Sequence, residues 1–200
     1  MAETAARIGP SDPPAVLPVP NAVLPVPTAV LPVPTAEVRA LAAVQRAARG
    51  PAMVRVALGM SLFGEHAAGW LAIGTIGALT DRPRRRQWLT ATLTVALAHG
   101  ASVGVKRVVR RPRPDHPQVR VLAGTPSGLS FPSAHATSTT AAAIAFGALL
   151  HRPLVALLVP PMALSRLVLG VHYPSDVLAG SALGAAVVVA ARRIGRKATR

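Results

Sequence analysis

The chain has no cysteine, which excludes disulfides, zinc thiolates, iron–sulfur clusters and thiol nucleophiles. Acid is scarce: seven Asp and Glu stand against 22 Lys and Arg, a formal net charge of +15 at pH 7. Charge of either sign is thin, at 14% of residues, where soluble domains carry about 25%. Aromatic residues make up only 3%. What fills the chain is aliphatic: 51% of residues are hydrophobic and the mean hydropathy is +0.43. Two hundred residues suffice for one domain. An apolar, strongly basic chain of this size is expected to be an integral membrane protein whose cations meet anionic headgroups or a phosphorylated ligand. Nucleic acid is not an expected partner, because the basic residues punctuate apolar runs instead of forming one stripe.

Residues 1–36 are a different material. A heptapeptide, Ala-Val-Leu-Pro-Val-Pro followed by Asn or Thr, recurs over 15–21, 22–28 and 29–35. Paired prolines remove backbone donors and favour polyproline II, so this stretch is expected to be a disordered spacer, and it lacks the pattern of a signal peptide. Over 37–50 the periodicity becomes helical, with Leu41, Val44 and Ala48 on one face and Arg39, Arg46 and Arg49 on the other. Such a helix suits a membrane interface and is too polar to span. Residues 51–200 form the membrane domain. Its apolar stretches at about 56–79, 88–105, 133–150, 154–169 and 175–191 predict five spanning helices. The fourth is short and holds Pro160 and Pro161. Glycines such as Gly69, Gly74, Gly77, Gly180 and Gly184 permit close packing in lipid.

Three polar clusters fall on one face of that five-helix arrangement. Lys106 closes the second span, and Pro112 drives the chain out of helix before Arg113. Two cations so close suit a dianionic phosphate, although a basic juxtamembrane cluster on anionic lipid has the same composition. Ser133 is placed to cap the third span, whose first-turn amides, including that of Ala134, bind anions, with His135 at that end. His135 taken alone reads more readily as a capping or interfacial histidine. Finally, Ser165 and Arg166 precede His172 and Asp176. A carboxylate four residues after a histidine reaches back to one imidazole nitrogen and fixes its tautomer. Glu65, inside the first apolar stretch, is an expensive residue there unless it pairs or reaches the interface. His99 lies seven residues before Lys106, on the same helix face.

Lys-x6-Arg-Pro (Lys106, Arg113, Pro114), Pro-Ser-x-His (Pro132, Ser133, His135) and Ser-Arg-x5-His-x3-Asp (Ser165, Arg166, His172, Asp176) together resemble the signature of type 2 phosphatidic acid phosphatases, PAP2. These are membrane lipid phosphatases that share a site with vanadium haloperoxidases. Ala134 departs from the glycine usual at its position. Gly64-Glu65-His66 followed by Trp70 also resembles small actinobacterial members acting on decaprenyl-phosphoryl phosphoribose. The resemblance implies an all-α bundle of about five transmembrane helices and a phosphatase acting on a lipid or polyprenyl phosphate monoester or pyrophosphate. It implies His172 as nucleophile, Asp176 as its orienter and His135 as acid and base, with Lys106, Arg113, Ser133, Ala134 and Arg166 binding phosphate. No metal or other cofactor is expected, since the protein supplies the cations. A non-catalytic basic membrane anchor binding anionic lipid is the alternative. Ten cations fall on the face of the 82–86 loop and the C-terminus and twelve on the motif face, so charge alone barely orients the chain. The resemblance implies the plasma membrane with an extracytoplasmic site; oligomeric state is left open.

Overall fold

Thr35 opens the first helix: its hydroxyl accepts from the Val38 amide at 3.3 Å and caps α1 (Ala36–Ala47). Val38, Leu41 and Ala42 are buried while Arg39 and Arg46 stay exposed, as the amphipathic pattern demands. The apolar face of α1 rests on two later helices, Leu154–Val168 and Pro174–Ala198. The computed structural model describes Val33 and residues 35–198. The expectation for the proline repeat therefore lies almost wholly outside the described residues.

Gly50 and Pro51 then start α2 (Pro51–Gly64), with the proline in the first turn where its missing N–H costs nothing. The single span expected over 56–79 is broken. Glu65–Ala67 forms one tight turn in which His66 (φ 50°) and Ala67 (φ 60°) are left-handed, and α3 (Ala68–Thr80) continues beyond it. A β-carbon on Gly64 would approach the His135 ring to 2.5 Å, so the backbone at the break lies hard against that histidine. Beyond the break Trp70 is buried, donates to Thr139 Oγ1 at 3.0 Å and meets Phe63 edge-on at 4.7 Å. Gly64, Glu65 and His66 interrupt the apolar stretch over 56–79, and the fold is what turns that interruption into a break.

Asp81 ends α3 and organises the arginine-rich loop. Its carboxylate accepts from Arg84 Nε at 2.6 Å and from Trp88 Nε1 at 3.0 Å, while Arg84 Nη1 reaches the Leu149 carbonyl at 3.2 Å. There follow α4 (Arg85–Val109), α5 (Ala134–Leu150), α6 (Leu154–Val168) and α7 (Pro174–Ala198). Helical segments 51–80, 82–109 and 174–197 are long and apolar enough to cross a membrane, and α5 and α6 are shorter apolar helices. Leu89, Leu93 and Leu97 are exposed at four-residue intervals on α4, the lipid-facing stripe of a span. Pro160 and Pro161 sit inside α6 without ending it, which neighbouring helices permit in a membrane bundle.

At the centre lies α5, buried along most of its length and packed between α3, α4, α6 and α7. Its alanines, serines and threonines allow close approach. On α7, Gly180 and Gly184 face it: a β-carbon there would meet the Ser133 carbonyl oxygen at 2.5 Å or the Thr137 carbonyl oxygen at 2.3 Å. Backbone cannot give way as a flexible side chain can. Gly184→Ala should therefore destabilise the protein by about 1–3 kcal/mol. Gly104→Ala, at a site with open space around it, should not; apparent thermal unfolding in detergent distinguishes the two.

Candidate active site

The first polar cluster begins where α4 ends. Arg110 takes a left-handed conformation (φ 54°) and its amide closes on the Lys106 carbonyl at 3.0 Å. Lys106, almost fully buried, points its ammonium at the Leu129 and Ser130 carbonyls, 3.1 Å from each. Arg113 donates from Nε to the Ser127 carbonyl (2.9 Å) and from Nη1 to the Val171 carbonyl (2.6 Å). Arg166 comes from the last turn of α6 and is 2% exposed. Its Nε reaches Ser165 Oγ at 3.3 Å. Its Nη2 is buried and has no hydrogen-bond partner among the described residues. Lys106, Arg113, Arg166, Ala134, His135 and His172 line one cavity of about 350 Å³, and residues 124–127 form part of its wall.

His172 precedes α7 and is 3% exposed. Its Nε2 lies 3.4 Å from Arg113 Nη1 and its Nδ1 lies 3.5 Å from Asp176 Oδ2. A guanidinium only donates, so Nε2 presents its lone pair and the proton sits on Nδ1 toward the carboxylate. Burial pushes the imidazole down to about 4 against the opposing pull of Asp176. It is thus uncharged at neutral pH, with a free electron pair in a cationic cavity. His135 is held differently: its Nε2 lies 2.9 Å from the Ser61 carbonyl, and a carbonyl only accepts, so this nitrogen carries a proton.

The α5 start lies where its sequence indicates. Ser133 Oγ accepts from the Ala136 amide at 3.4 Å, and Ser133 N donates to the Asp176 carbonyl at 2.9 Å. The hydroxyl of Ser133 is thereby committed to its own helix; of the pair Ser133 and Ala134, only Ala134 lines the cavity. All the other residues singled out in the three motifs for binding or chemistry line that cavity or, like Asp176, contact one that does.

Two residues were missed. Arg111 donates through Nη1 to Asp176 Oδ1 (3.0 Å) and Ser175 Oγ (2.6 Å), stacks 4.1 Å over the Tyr173 ring and pairs through Nη2 with Glu37. Glu37 also accepts from the Ser175 amide at 3.1 Å. Although burial opposes it, these bonds from Ser175 and Arg111 hold the Glu37 carboxyl below its ordinary value. Arg111 stands in a run of basic residues that hides it. Glu37 is the one acid of α1, a feature that was visible but had no partner in the sequence. Glu65, His66 and His99 also line the cavity.

Bundle and cavity together define an all-α integral membrane protein with a buried cationic chamber built around a histidine–aspartate pair. The chain belongs to the PAP2 superfamily, whose sequence model matches residues 87–200. It is 56% identical over 152 residues to the decaprenylphosphoryl-5-phosphoribose phosphatase of Mycobacterium tuberculosis, covering 76% of this chain and 86% of that one. With the protein of the same name from Mycolicibacterium smegmatis it shares 57% identity over 145 residues, 72% of this chain and 81% of the relative. Among solved structures it resembles the transmembrane PAP2-type phosphatidylglycerolphosphate phosphatase from Bacillus subtilis, with a TM-score of 0.62 and 25% identity over 82% of this chain and 88% of that one.

The Arg111 bridge generates a prediction. Glu37→Gln keeps the size of the side chain and removes the charge that steadies Arg111 on Asp176. Release of inorganic phosphate from a lipid phosphate should show kcat lowered about tenfold with KM little changed, the mark of a positioning residue (charge-assisted bonds contribute about 1.5–3 kcal/mol). Glu37→Asp should restore part of the loss.

Proposed function

We propose that this cavity is the active site of a metal-independent membrane phosphatase acting on a phosphate monoester borne by a polyprenyl-linked substrate. The observation that carries the reading is the buried, unpartnered Nη2 of Arg166 beside an uncharged His172. A buried guanidinium nitrogen without an acceptor is costly until an anion fills the space. Among the described residues, Lys106, Arg113 and Arg166 have no carboxylate partner within ion-pair distance, and the dianion of a phosphate monoester answers all three.

In this mechanism Lys106, Arg113 and Arg166 hold the nonbridging oxygens, joined by the backbone amide of Ala134 at the start of α5. The electron pair on His172 Nε2 attacks phosphorus in line. The bond from phosphorus to the leaving oxygen breaks, and that oxygen takes a proton from His135, which carries a proton on each ring nitrogen once the phosphate dianion is bound among the cations. Asp176 stabilises the positive charge gained by His172 as phosphohistidine forms. His135, now neutral, takes a proton from water whose oxygen attacks phosphorus. The phosphorus–nitrogen pair returns to His172, and inorganic phosphate leaves. Phosphoryl transfer of this kind is mostly positioning and charge stabilisation, which the fixed cations supply.

The substrate reading rests on the relatives, whose names state decaprenylphosphoryl-5-phosphoribose as what they act on. That compound joins a polyprenyl chain to a sugar bearing a terminal phosphate monoester. The protein sits in the plasma membrane with the cavity on the extracytoplasmic side; with the phosphate-binding Lys106, Arg113 and Arg166 set aside, the sequence count is nine cations on the motif face against ten on the other, a narrow lean to that orientation.

His172→Ala and Arg166→Ala should each remove nearly all phosphate release from folded, detergent-extracted protein, whereas EDTA should leave wild-type turnover intact and vanadate should inhibit it. Wild-type-like turnover in His172→Ala, or activity lost on chelation and restored by magnesium, would refute the mechanism. The absence of native thiols allows a separate test of sidedness. In intact cells Ser127→Cys should react with an impermeant maleimide and Arg152→Cys should not.

A further inference from the structure

The cavity is larger than its phosphate cluster, and the part beyond the cations has a different chemistry. Glu65, His66 and His99 line it. Glu65 and His66 belong to the break between α2 and α3, held there by two successive left-handed residues, neither of them glycine. Such backbone is rare and costly, and in a membrane bundle irregular backbone persists where it lines a cavity. Had the helix run on, Glu65 would turn with its face. The break also lies on one definite side of the chemistry. The Ser61 carbonyl engages His135 at 2.9 Å and Gly64 abuts the same ring. His135 is the group assigned to the leaving oxygen, so the turn that follows Gly64 flanks the alcohol half of the substrate.

A carboxylate in that position is of no use to the phosphate, which it repels. Among the described residues Glu65 accepts no hydrogen bond, and its Oε1 lies 4.0 Å from His66 Nδ1. His99 has its Nδ1 buried without a partner, and its ring stands 6.2 Å from that of His66. A cationic ligand group is disfavoured by Lys106, Arg113 and Arg166 in the same chamber. Hydroxyl groups fit: each donates to the carboxylate and accepts from an imidazole N–H, and a carboxylate has two oxygens for a vicinal pair.

We infer that Glu65, with His66 and His99, forms a hydroxyl-reading subsite that selects phosphate monoesters whose alcohol is a sugar over those whose alcohol is a plain hydrocarbon chain. This rests on the phosphatase reading of the cavity and adds to it the residues that determine specificity. The subsite leaves the phosphoryl-transfer groups untouched, so its loss should appear in selectivity and not in turnover as such.

The test uses the full chain in detergent micelles and two probes, decaprenylphosphoryl-5-phosphoribose and farnesyl phosphate, which carries no hydroxyl near its phosphate. Wild type should favour the sugar probe in kcat/KM. Glu65→Gln, nearly isosteric, should lose about tenfold or more on the sugar probe and change less than about twofold on farnesyl phosphate, since unpairing a substrate hydroxyl is strongly discriminated. His99→Phe should reduce the same preference in the same direction, and retained apparent thermal stability in both variants shows that they fold. Equal losses on both probes, or an unchanged preference in Glu65→Gln, would overturn the subsite while leaving the phosphatase reading intact. Turnover of farnesyl phosphate alone by wild type would do the same. Turnover of neither probe would overturn both readings.

Discussion

Everything in this protein converges on one buried carboxylate. Asp176 is fully inaccessible, yet it accepts from Arg111, from the Tyr173 amide at 2.7 Å, and lies at ion-pair distance from His172. Its carbonyl takes the Ser133 amide. Through these contacts the first turn of α7 is joined to the start of α5, to the segment after α4 and, by way of Glu37, to α1. A buried charge is tolerated only when its acceptors are saturated. That demand draws four separated parts of the chain onto one point beside the nucleophile.

Close packing makes the convergence possible. In lipid no hydrophobic force drives helix against helix, so approach depends on small residues and complementary surfaces. Gly180 and Gly184 bring α7 against the backbone of α5, and this contact sets the separation between the His135 and His172 ends. At the other end of the bundle, Asp81 and Arg84 tie the α3–α4 loop to the end of α5. The central helix is thus anchored at both membrane faces. Rigid cations in a chamber between such helices lose little reorganisation energy when a phosphate arrives, which is the physical basis of electrostatic preorganisation.

Burial also decides the state of His172, the nucleophile of the proposed mechanism. An exposed histidine would be partly protonated near neutrality, and its electron pair would be unavailable. Enclosed among cations and out of water, His172 stays neutral until strongly acid conditions, while Asp176 keeps the proton on the nitrogen that does not react. The same enclosure leaves Arg166 with an unanswered donor. In the mechanism proposed above, the dianion that answers this donor is also the reacting group.

Much of this was legible from the chain alone. The motif spacing and the resemblance it carries singled out Lys106, Arg113, His135, Arg166, His172 and Asp176, which the fold gathers at one cavity or, for Asp176, beside His172. The five apolar stretches and the proline at the start of α7 are local signals that survive folding. Ser133 was legible as the cap of α5, because its partner is the Ala136 amide three residues on. The break at Glu65–Ala67 and the Glu37–Arg111–Asp176 bridge were not legible, since each depends on a partner distant in sequence: Gly64 on His135, and Arg111 on a carboxylate 74 residues earlier. Composition and periodicity by themselves determined a helical membrane protein, since hydropathy is a property of short segments, while the motif resemblance supplied the candidate phosphate-handling residues. Which arginine serves the site, where a span breaks, and what faces the leaving group were decided by tertiary packing, because only the folded bundle puts those charges and backbone groups within hydrogen-bond reach.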